Sequence, residues 1–368
     1  MKLPVTGMAW TTPLGNELDA VWARLMQGET GIAPVPHTVR LRNSLAGAIP
    51  SISLDLPPAE RMQQIGLSAL TRVLQTTGLD PTDPQLRLIV GTSLGAYLEE
   101  AAERQALSGW ARRLGTAAGI STEPIVVSTA CSSGSDAVLV GAELIRTGLA
   151  RTCVCGGVDI LTVSKRLAHS SMGTMSPTTL HAFDLRHDGT LLGEGAAFVV
   201  LQAAETPCQP LAYFRGAGAA NDATGMTVPD ADGMGGRLAI ERSLQDAGLT
   251  PQDIGLVNAH GSATPLNDAA ERATFLQVFG RADRPMVFAT KGNFGHSLGA
   301  TGATEVVALL LSLKSGQVPP VYGLEQPDPD FPLPLAGPAG TKCTARYGLS
   351  LTLGFGGFDT SLVFEVDS

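Results

Sequence analysis

The sequence contains few aromatic residues and few charged ones. Aromatic side chains make up 5% of its 368 residues and charged side chains 16%, whereas hydrophobic residues make up 44%. This supply of apolar residues is enough for a large core, at a length where one core usually divides into two packed parts. The 43 glycines indicate close backbone packing and many tight turns.

Positive charge is also scarce. The chain has 25 lysine and arginine residues against 34 acidic residues, a formal net charge of −9. This balance argues against nucleic acid or an anionic membrane as the main partner. No stretch approaches the roughly 20 apolar residues of a membrane span, and MKLPVTGMAWTTPLG at the start holds no long apolar segment. We therefore expect no membrane span and no secretory signal.

Cysteine occurs five times, at Cys131, Cys153, Cys155, Cys208 and Cys343. Because the number is odd and a chain of this length does not need disulfides, we expect a reduced, cytoplasmic protein. Cys153 and Cys155 lie in TCVCGGVD, a pattern typical of a buried strand. No second Cys/His pair stands at zinc spacing, so we expect core packing here and no metal site.

Short apolar strands alternate with helical segments, which indicates an α/β protein. One pattern occurs twice: the strand IVVST runs into the buried helix SGSDAVLVGAELIRTG, and MVFAT runs through KGNFGHSLGATG into a second buried helix. We interpret this as an internal duplication with a boundary near residues 205–210, where TPCQP breaks the pattern. Residues 1–208 and 209–368 would then form two halves, with both strand-to-helix turns near a shared centre.

Cys131 stands in STACSSG, between an apolar strand and the first of these helices. Unpaired N–H groups and the positive end of a helix favour a thiolate, so we expect the pKa of Cys131 to lie below its ordinary value of about 8.5. The residues alone leave two interpretations open, a packed inert cysteine and a nucleophile.

Two of the six histidines have unusual neighbours. His260 ends a strand in GLVNAHGSATPLND and is followed by glycine, and His296 lies in TKGNFGHSLGATGATE, at the start of the second buried helix. A backbone or a ligand can come close at such positions. We predict that the other four are surface or structural residues: His37, His169, His181 and His187.

A Gly-rich loop, LGFGGFDTS, lies between the last two predicted strands and could turn backbone N–H groups toward a ligand. It is not a dinucleotide fingerprint, because neither a helix nor an acidic residue at the required spacing follows it.

Together these motifs resemble the β-ketoacyl synthases, the acyl-carrier-protein-dependent condensing enzymes of fatty acid and polyketide synthesis, and among them the elongating, two-histidine type. The similar segments occur in order over almost the whole chain: STACSSG, NAHGSATPLND, TKGNFGHSLGATGATE and LGFGGFDTSLVF. The resemblance implies an α/β, thiolase-like fold, in which two similar βαβαβαββ halves form a five-layered α-β-α-β-α core. It also implies a homodimer, or a heterodimer with a related ketosynthase-like subunit.

The resemblance also implies the reaction. Cys131 would take an acyl chain from a carrier-protein thioester, and its N–H and that of Phe355, the gate residue, would form the oxyanion hole. His260 and His296 would bind the malonyl thioester carbonyl and stabilise the enolate formed as carbon dioxide leaves. The carbanion would then attack the acyl group on Cys131. The phosphopantetheine arm belongs to the acyl carrier protein, so we expect no cofactor bound by the chain itself.

Five further residues match supporting positions in the resemblance. Lys291 would hold the hydrogen-bond network of the site, with Glu305 in support. Ser262 and Thr264 would contact the pantetheine arm, and Leu94 would line the acyl pocket.

The final loop departs from the family pattern at three positions. Asp359 replaces the usual Asn, Phe358 replaces a Thr, and Leu353 replaces an aromatic residue, so we expect altered hydrogen bonds and an altered pocket shape. The chain between GTSLG and Cys131 is also shorter than usual. These departures favour specialised polyketide- or polyene-type biosynthesis over housekeeping fatty acid synthesis.

Basic residues that would face an acidic carrier protein are few. Arg61 lies where many relatives have several, and Lys165, Arg166 and Arg186 are further candidates; the alternative is a docking contact that is weak or differently placed.

Four other functions are compatible with parts of the sequence. A chain-length partner subunit of the same fold would lack the nucleophile, and a non-elongating acyltransferase would load Cys131 without extending the chain. A thiolase would need a second cysteine as base, and Cys343 lacks the expected Gly-rich surroundings. A Cys–His hydrolase would leave the GHSLGATG segment without a role.

Overall fold

Strands and helices alternate along the chain, as its apolar pattern predicts. In a computed structural model, residues 2–337 and 340–367 are described. The strands are β1 (Leu3–Thr11), β2 (Ile32–Pro34), β3 (Leu45–Gly47), β4 (Leu86–Gly91), β5 (Ile125–Val127), β6 (Thr152–Asp159), β7 (Gly195–Gln202), β8 (Ala212–Asn221), β9 (Ile254–Asn258), β10 (Met286–Phe288), β11 (Gln317–Val318), β12 (Thr341–Lys342), β13 (Tyr347–Gly354) and β14 (Phe358–Glu365). The helices are α1 (Leu18–Met26), α2 (Pro58–Thr77), α3 (Gly109–Ala117), α4 (Ser133–Arg146), α5 (Val163–Ser171), α6 (Met234–Ala247), α7 (Pro265–Phe279), α8 (Lys291–Phe294) and α9 (Thr301–Ser315).

Ten of the described strands form one sheet with the order β10-β9-β13-β14-β8-β1-β7-β6-β4-β5. Its two five-stranded sections have the same pattern of parallel and antiparallel strands. In each section the three outer strands are parallel and the next two pairings are antiparallel. The sections meet where β1 pairs with β8 through Leu3, Pro4 and Val5. The second section therefore repeats the topology of the first.

Helices lie on both faces of each section. The central helices α4 and α9 pack on each other and on strands of both sections. On the outer faces, α2 packs with α3 over the first section, and α6 packs with α7 over the second. The predicted thiolase-like order of layers, α-β-α-β-α, is confirmed.

The most apolar helix is part of this central layer. The stretch Leu298–Ser315 is long and apolar enough to cross a membrane by length and composition, but 83% of it is buried inside the protein. A helix that is apolar on all sides is what a central layer between the two sections of the sheet requires.

The two central helices begin in the same way. A 3₁₀ turn at Ala130–Ser132 leads into α4, and one at Leu298–Ala300 leads into α9. The first residue of each turn has a left-handed backbone, with φ of 52° at Ala130 and 49° at Leu298. The two turns contact each other. Both strand-to-helix turns therefore lie at one centre, as the repeated pattern predicts.

Glycine allows the two helix starts to approach. A Cβ atom on Gly302 of α9 would lie 2.0 Å from Ser135 Oγ of α4, and one on Gly134 would lie 2.9 Å from the backbone nitrogen of Ala303. A side chain at either position would therefore push the helices apart.

We expect Gly302→Ala to destabilise the fold by about 2 kcal/mol, because overpacking at a rigid contact costs about 1–3 kcal/mol. Urea unfolding followed by circular dichroism measures this change. Gly109→Ala is the control, because a Cβ there meets its nearest atom at 3.6 Å, on a flexible arginine. Equal unfolding midpoints for the two variants would contradict this account of the helix contact.

Candidate active site

Cys131, His260 and His296 border one cavity between the two halves of the sheet. His296 Nε2 lies 3.1 Å from Cys131 Sγ. The two imidazole rings are 5.3 Å apart between centroids, with their planes at 85°. The structure thus brings together three side chains that are up to 165 positions apart in the sequence.

The strand-to-helix turn places Cys131 on the wall of this cavity. The left-handed backbone at Ala130 turns the chain sharply, and the thiol that follows is 4% exposed. Burial raises the pKa of Cys131 to about 11, although a hydrogen bond from the Phe355 backbone N–H and the charge of Lys291 act to lower it. The expected lowering of this pKa was wrong. The cost of removing water from the thiolate in the cavity is larger than the stabilisation that the start of the helix gives to its negative charge.

His296 is held by the segment that begins α9. The Leu298 backbone N–H donates to His296 Nδ1 at 3.2 Å, and Thr301 Oγ1 lies 2.9 Å from the same nitrogen. Since a nitrogen that accepts a backbone N–H carries no proton, the ring proton of neutral His296 lies on Nε2. This N–H is directed into the cavity beside Cys131.

His260 has the same arrangement with a different donor. The Lys291 ammonium group, which has donors only, lies 3.2 Å from His260 Nδ1. The ring proton of His260 therefore also lies on Nε2. Burial, with the charge of Lys291, holds the pKa of both His260 and His296 well below the ordinary value, so both rings are neutral donors at neutral pH.

Lys291 is buried behind the two histidines. Its side chain is 2% exposed and forms an ion pair with Glu305, which is 1% exposed. It also donates to the His260 backbone carbonyl. Burial raises the pKa of Glu305 to about 7, against the attraction of Lys291. The sequence interpretation grouped Lys291 and Glu305 with the histidines, and the structure places all four together.

Glu271 was missed by the sequence analysis. Its carboxylate accepts hydrogen bonds from the backbone N–H groups of His260 and Gly261 and from Asn267 Nδ2, each at 2.7 Å. Burial raises the pKa of Glu271 to about 8. The spacing of Asn267 and Glu271 on one face of α7, directly after the His260 motif, was the available signal.

Ser262 and Thr264 border the cavity on the His260 side. Thr264 also caps α7 by accepting a hydrogen bond from the Asn267 backbone N–H at 3.2 Å. Leu94 is not among the described residues that border this cavity. It is 38% exposed and borders a second, smaller pocket with Tyr97 and Trp110.

The Gly-rich loop covers the cavity from the side of β13. Gly356 and Gly357 have φ of 83° and 74°, which favour glycine. The Gly356 N–H donates to the Met226 carbonyl and its carbonyl accepts from Asn221 Nδ2, both at 2.8 Å. These bonds fix the loop with the Phe355 N–H directed at Cys131.

The three unusual residues of this loop have different surroundings. Leu353 and Asp359 are buried and border the cavity, whereas Phe358 is 41% exposed. Burial, together with the nearby charge of Asp222, raises the pKa of Asp359 to about 8.

The histidines outside the three-residue cluster differ from one another. His37 is exposed, and His181 and His187 are held by Gly323 and Asp268. His169 is 7% exposed, borders the cavity and stacks on Phe355 with 5.7 Å between centroids. A surface or structural role was expected for His169, and its position on the cavity wall was not predicted.

The basic residues proposed to face a carrier protein are mostly buried, so that prediction was wrong for three of four. Arg61 is 2% exposed and pairs with Glu194. Lys165 pairs with Asp159, and Arg166 donates to the carbonyl of Ser44. The fourth, Arg186, is partly exposed and forms salt bridges with Asp184 and Glu325.

The described residues contain no group of three or more His, Cys, Asp or Glu side chains that could hold a metal ion. Cys153 and Cys155 lie in β6, where every residue is buried, as the pattern predicts.

Two family models match this chain. The Beta-ketoacyl synthase, N-terminal domain, matches residues 2–206, and the Beta-ketoacyl synthase, C-terminal domain, matches residues 211–325. A relative from Vibrio cholerae named 3-oxoacyl-[acyl-carrier-protein] synthase 2 is 29% identical, with 99% of each chain covered.

Solved structures give the same result. A beta-ketoacyl synthase from Burkholderia phymatum is 26% identical with a TM-score of 0.89, and all of both chains is covered. The ishigamide ketosynthase/chain length factor is 25% identical with a TM-score of 0.90, over 100% of this chain and 99% of that one. The chain therefore belongs to the β-ketoacyl synthase family and is a condensing enzyme of the acyltransferase type.

Proposed function

We propose that the chain catalyses the decarboxylative Claisen condensation of malonyl-[acyl-carrier-protein] with an acyl group held as a thioester on Cys131. One observation carries the proposal: His260 and His296 both direct an Nε2–H donor into the cavity that holds the Cys131 thiol. Two neutral donors suit a reaction that develops negative charge on a carbonyl oxygen.

In the first step Cys131 Sγ attacks the acyl thioester of the carrier protein. The Sγ–carbon bond forms, the bond to the pantetheine sulfur breaks, and the thiol proton leaves with that sulfur. Since burial raises the pKa of Cys131, the thiolate forms only as the thioester arrives. The backbone N–H groups of Cys131 and Phe355 stabilise the tetrahedral oxyanion.

In the second step the malonyl thioester carbonyl accepts hydrogen bonds from His260 and His296. Carbon dioxide leaves, and the electron pair becomes an enolate on that oxygen. The enolate carbon attacks the acyl-Cys131 carbonyl and expels the Cys131 thiolate, which gives a 3-oxoacyl chain two carbons longer. Lys291 positions His260 through Nδ1, and burial together with the charge of Lys291 keeps both rings unprotonated.

The partner in both steps is an acyl carrier protein, whose phosphopantetheine arm passes Ser262 and Thr264. Support comes from the name of the Vibrio cholerae relative and from the position of both residues on the cavity wall. The arm belongs to the carrier protein, so we propose no resident cofactor. We further propose a cytoplasmic protein of two halves, residues 1–208 with the nucleophile and residues 209–368 with the histidines.

We propose that the chain acts in specialised polyketide- or polyene-type biosynthesis. We also propose that it assembles as a homodimer, or as a heterodimer with a related ketosynthase-like subunit. The likeness to the ishigamide ketosynthase/chain length factor supports both points. The polar, buried Asp359 beside the gate loop favours a specialised substrate over an ordinary saturated chain.

Incubation with an acyl-[acyl-carrier-protein] should leave an acyl group on Cys131, and malonyl-[acyl-carrier-protein] should then yield a chain two carbons longer. Intact-mass measurement detects both species, and Cys131→Ala is the control that should give neither. Acylation without elongation would instead favour a non-elongating acyltransferase. Absence of the acyl adduct would exclude the proposed reaction.

His260→Ala should slow elongation about 100-fold more than it slows acylation of Cys131, because this ring acts on the malonyl carbonyl and loss of one such donor costs about 10²–10³ in rate. Single-turnover assays of the two steps measure the ratio. His37→Ala, at an exposed histidine, is the matched control. Equal slowing of both steps would show that His260 serves only to maintain the site.

Asp359→Asn should raise thermal stability increasingly as the pH rises. Free aspartate ionises near pH 4, whereas the pKa of Asp359 is raised to about 8. The folded protein therefore loses stability between these pH values, because only the unfolded chain releases the proton easily. The neutral amide of Asn avoids this loss.

We expect the difference in Tm between Asp359→Asn and the unaltered protein to grow by about 2–5 °C from about pH 5 to about pH 9. Asp55→Asn, at an exposed position, should show no such trend. A difference that is constant with pH would mean that Asp359 is not protonated in the fold.

A further inference from the structure

A histidine outside the catalytic cavity is paired with a buried carboxylate. His187 Nδ1 lies 3.0 Å from Asp268 Oδ2, and the side chain of His187 is 25% exposed whereas that of Asp268 is 3% exposed. No other basic side chain forms an ion pair with Asp268 in the part of the chain that the structure describes. Because a buried charge is costly without a partner, His187 is the residue that can balance the charge of Asp268.

Asp268 connects His187 to the segment that leads into α7. Its Oδ1 accepts a hydrogen bond from the Ala263 backbone N–H at 3.2 Å, and its Oδ2 accepts one from the Phe183 backbone N–H at 2.7 Å. Both oxygens thus act as acceptors, as the oxygens of an ionised carboxylate do. The Ala263 carbonyl accepts a hydrogen bond from the Gly189 N–H at 3.0 Å. Ala263 is therefore held through both of its backbone polar groups.

The segment that Asp268 holds has an unusual backbone. Gly261 has a φ of 50° and Ala263 has a φ of 63°, in the left-handed region that a residue with a side chain rarely adopts. Such a conformation persists only where the surrounding contacts fix it. Ser262 lies between these two residues and Thr264 follows them, and both border the catalytic cavity. The hydrogen bond from Ala263 to Asp268 therefore helps to set where these two side chains lie.

We propose that protonated His187 is a positioning residue for this segment, and thereby for binding of the phosphopantetheine arm. The imidazolium balances the Asp268 carboxylate, and the carboxylate in turn holds the Ala263 N–H. His187 is not among the described residues that border the cavity, so it acts only through Asp268. This proposal rests on the proposed function, in which the arm passes Ser262 and Thr264.

The charge of His187 makes this support dependent on pH. The hydrogen bond to Asp268 raises the pKa of His187 above its ordinary value of about 6.5, and the charge of Asp328 acts in the same direction, against burial and the charge of Arg272. Arg272 and Asp328 also pair with each other at 2.8 Å. Because the pKa in the folded protein is raised, the ion pair is complete below the ordinary value and is lost as the pH rises through the raised one.

Three variants separate the charge of His187 from its hydrogen bond. His187→Asn retains an N–H donor but cannot become charged. His187→Arg stays charged at every pH used, and His187→Lys is a second charged variant if the arginine side chain prevents folding. His181→Asn is the matched control, because His181 Nδ1 lies 2.9 Å from the uncharged carbonyl of Gly323.

The experiment follows acylation of Cys131 by hexanoyl-[acyl-carrier-protein] with intact-mass measurement, at several substrate concentrations from about pH 6 to about pH 9. Glu271 and Asp359, whose pKa values are raised to about 8, are retained in all variants. An effect of either carboxyl group would therefore also occur in His187→Arg. The quantity compared is the half-saturating concentration relative to that of His187→Arg at the same pH.

For the unaltered enzyme this ratio should rise from about one to about five over the pH range, because a charge-assisted hydrogen bond is about twice as strong as a neutral one. His187→Asn should have the high ratio at every pH. His181→Asn should behave as the unaltered enzyme does. The limiting rate of acylation relative to His187→Arg should not change, because His187 does not contact the reacting atoms.

Two results would overturn the positioning role and leave the proposed function intact. One is a ratio for the unaltered enzyme that does not change with pH. The other is a His187→Asn variant that binds the substrate as tightly as the unaltered enzyme at about pH 6. The second comparison does not need the charged variants. Circular dichroism of each variant shows whether it is folded. Absence of an acyl group on Cys131 in the unaltered enzyme would overturn the proposed function, and this inference with it.

Discussion

A single buried positive charge organises the active site. Lys291 has almost no contact with solvent, so its ammonium group must be satisfied by protein atoms. It pairs with Glu305 and donates to His260 at both the backbone carbonyl and Nδ1. Burial, with the same charge in support, holds the pKa of His260 and His296 well below its ordinary value, which keeps both as neutral donors. Because Lys291 fixes the tautomer of His260 and adds to the effect of burial on the protonation of both rings, the rest of the chemistry depends on it.

The sequence predicted the centre of the site better than its walls. His260 and His296 stand beside glycines, a local signal that a backbone or a ligand comes close, and Cys131 precedes a run of small residues; the duplicated strand-to-helix pattern predicted that they converge. The wall residues give no such signal. His169 lies in an ordinary polar helix, and its place in the cavity follows only from how α5 packs. The pKa of Cys131 could not be predicted either, because burial, which dominates it, is a tertiary property.

The surroundings of several charged residues also could not be predicted from the sequence. Arg61 and Lys165 look like surface charges in sequence, but Arg61 meets Glu194, 133 positions away, inside the protein. Lys165 meets Asp159, and the Asp159 carboxylate also accepts the backbone N–H of Ser93 at 2.8 Å. Glu194 directly precedes β7 and Ser93 follows β4, both far in sequence from the residues they contact, so only the packed structure reveals these contacts. The fold itself was predictable because alternating apolar segments set strand and helix, whereas the join of the two sections through β1 and β8 was not.

The proposed reaction depends most directly on His260 and His296 both presenting an Nε2–H donor to the substrate. Nitrogen-15 NMR of histidine-labelled protein near neutral pH measures this directly, with His260→Gln and His296→Gln variants to assign the signals. The account predicts that each ring is neutral with its proton on Nε2 and an unprotonated, hydrogen-bond-accepting Nδ1. A proton on Nδ1 of either ring, or a doubly protonated ring, would contradict it.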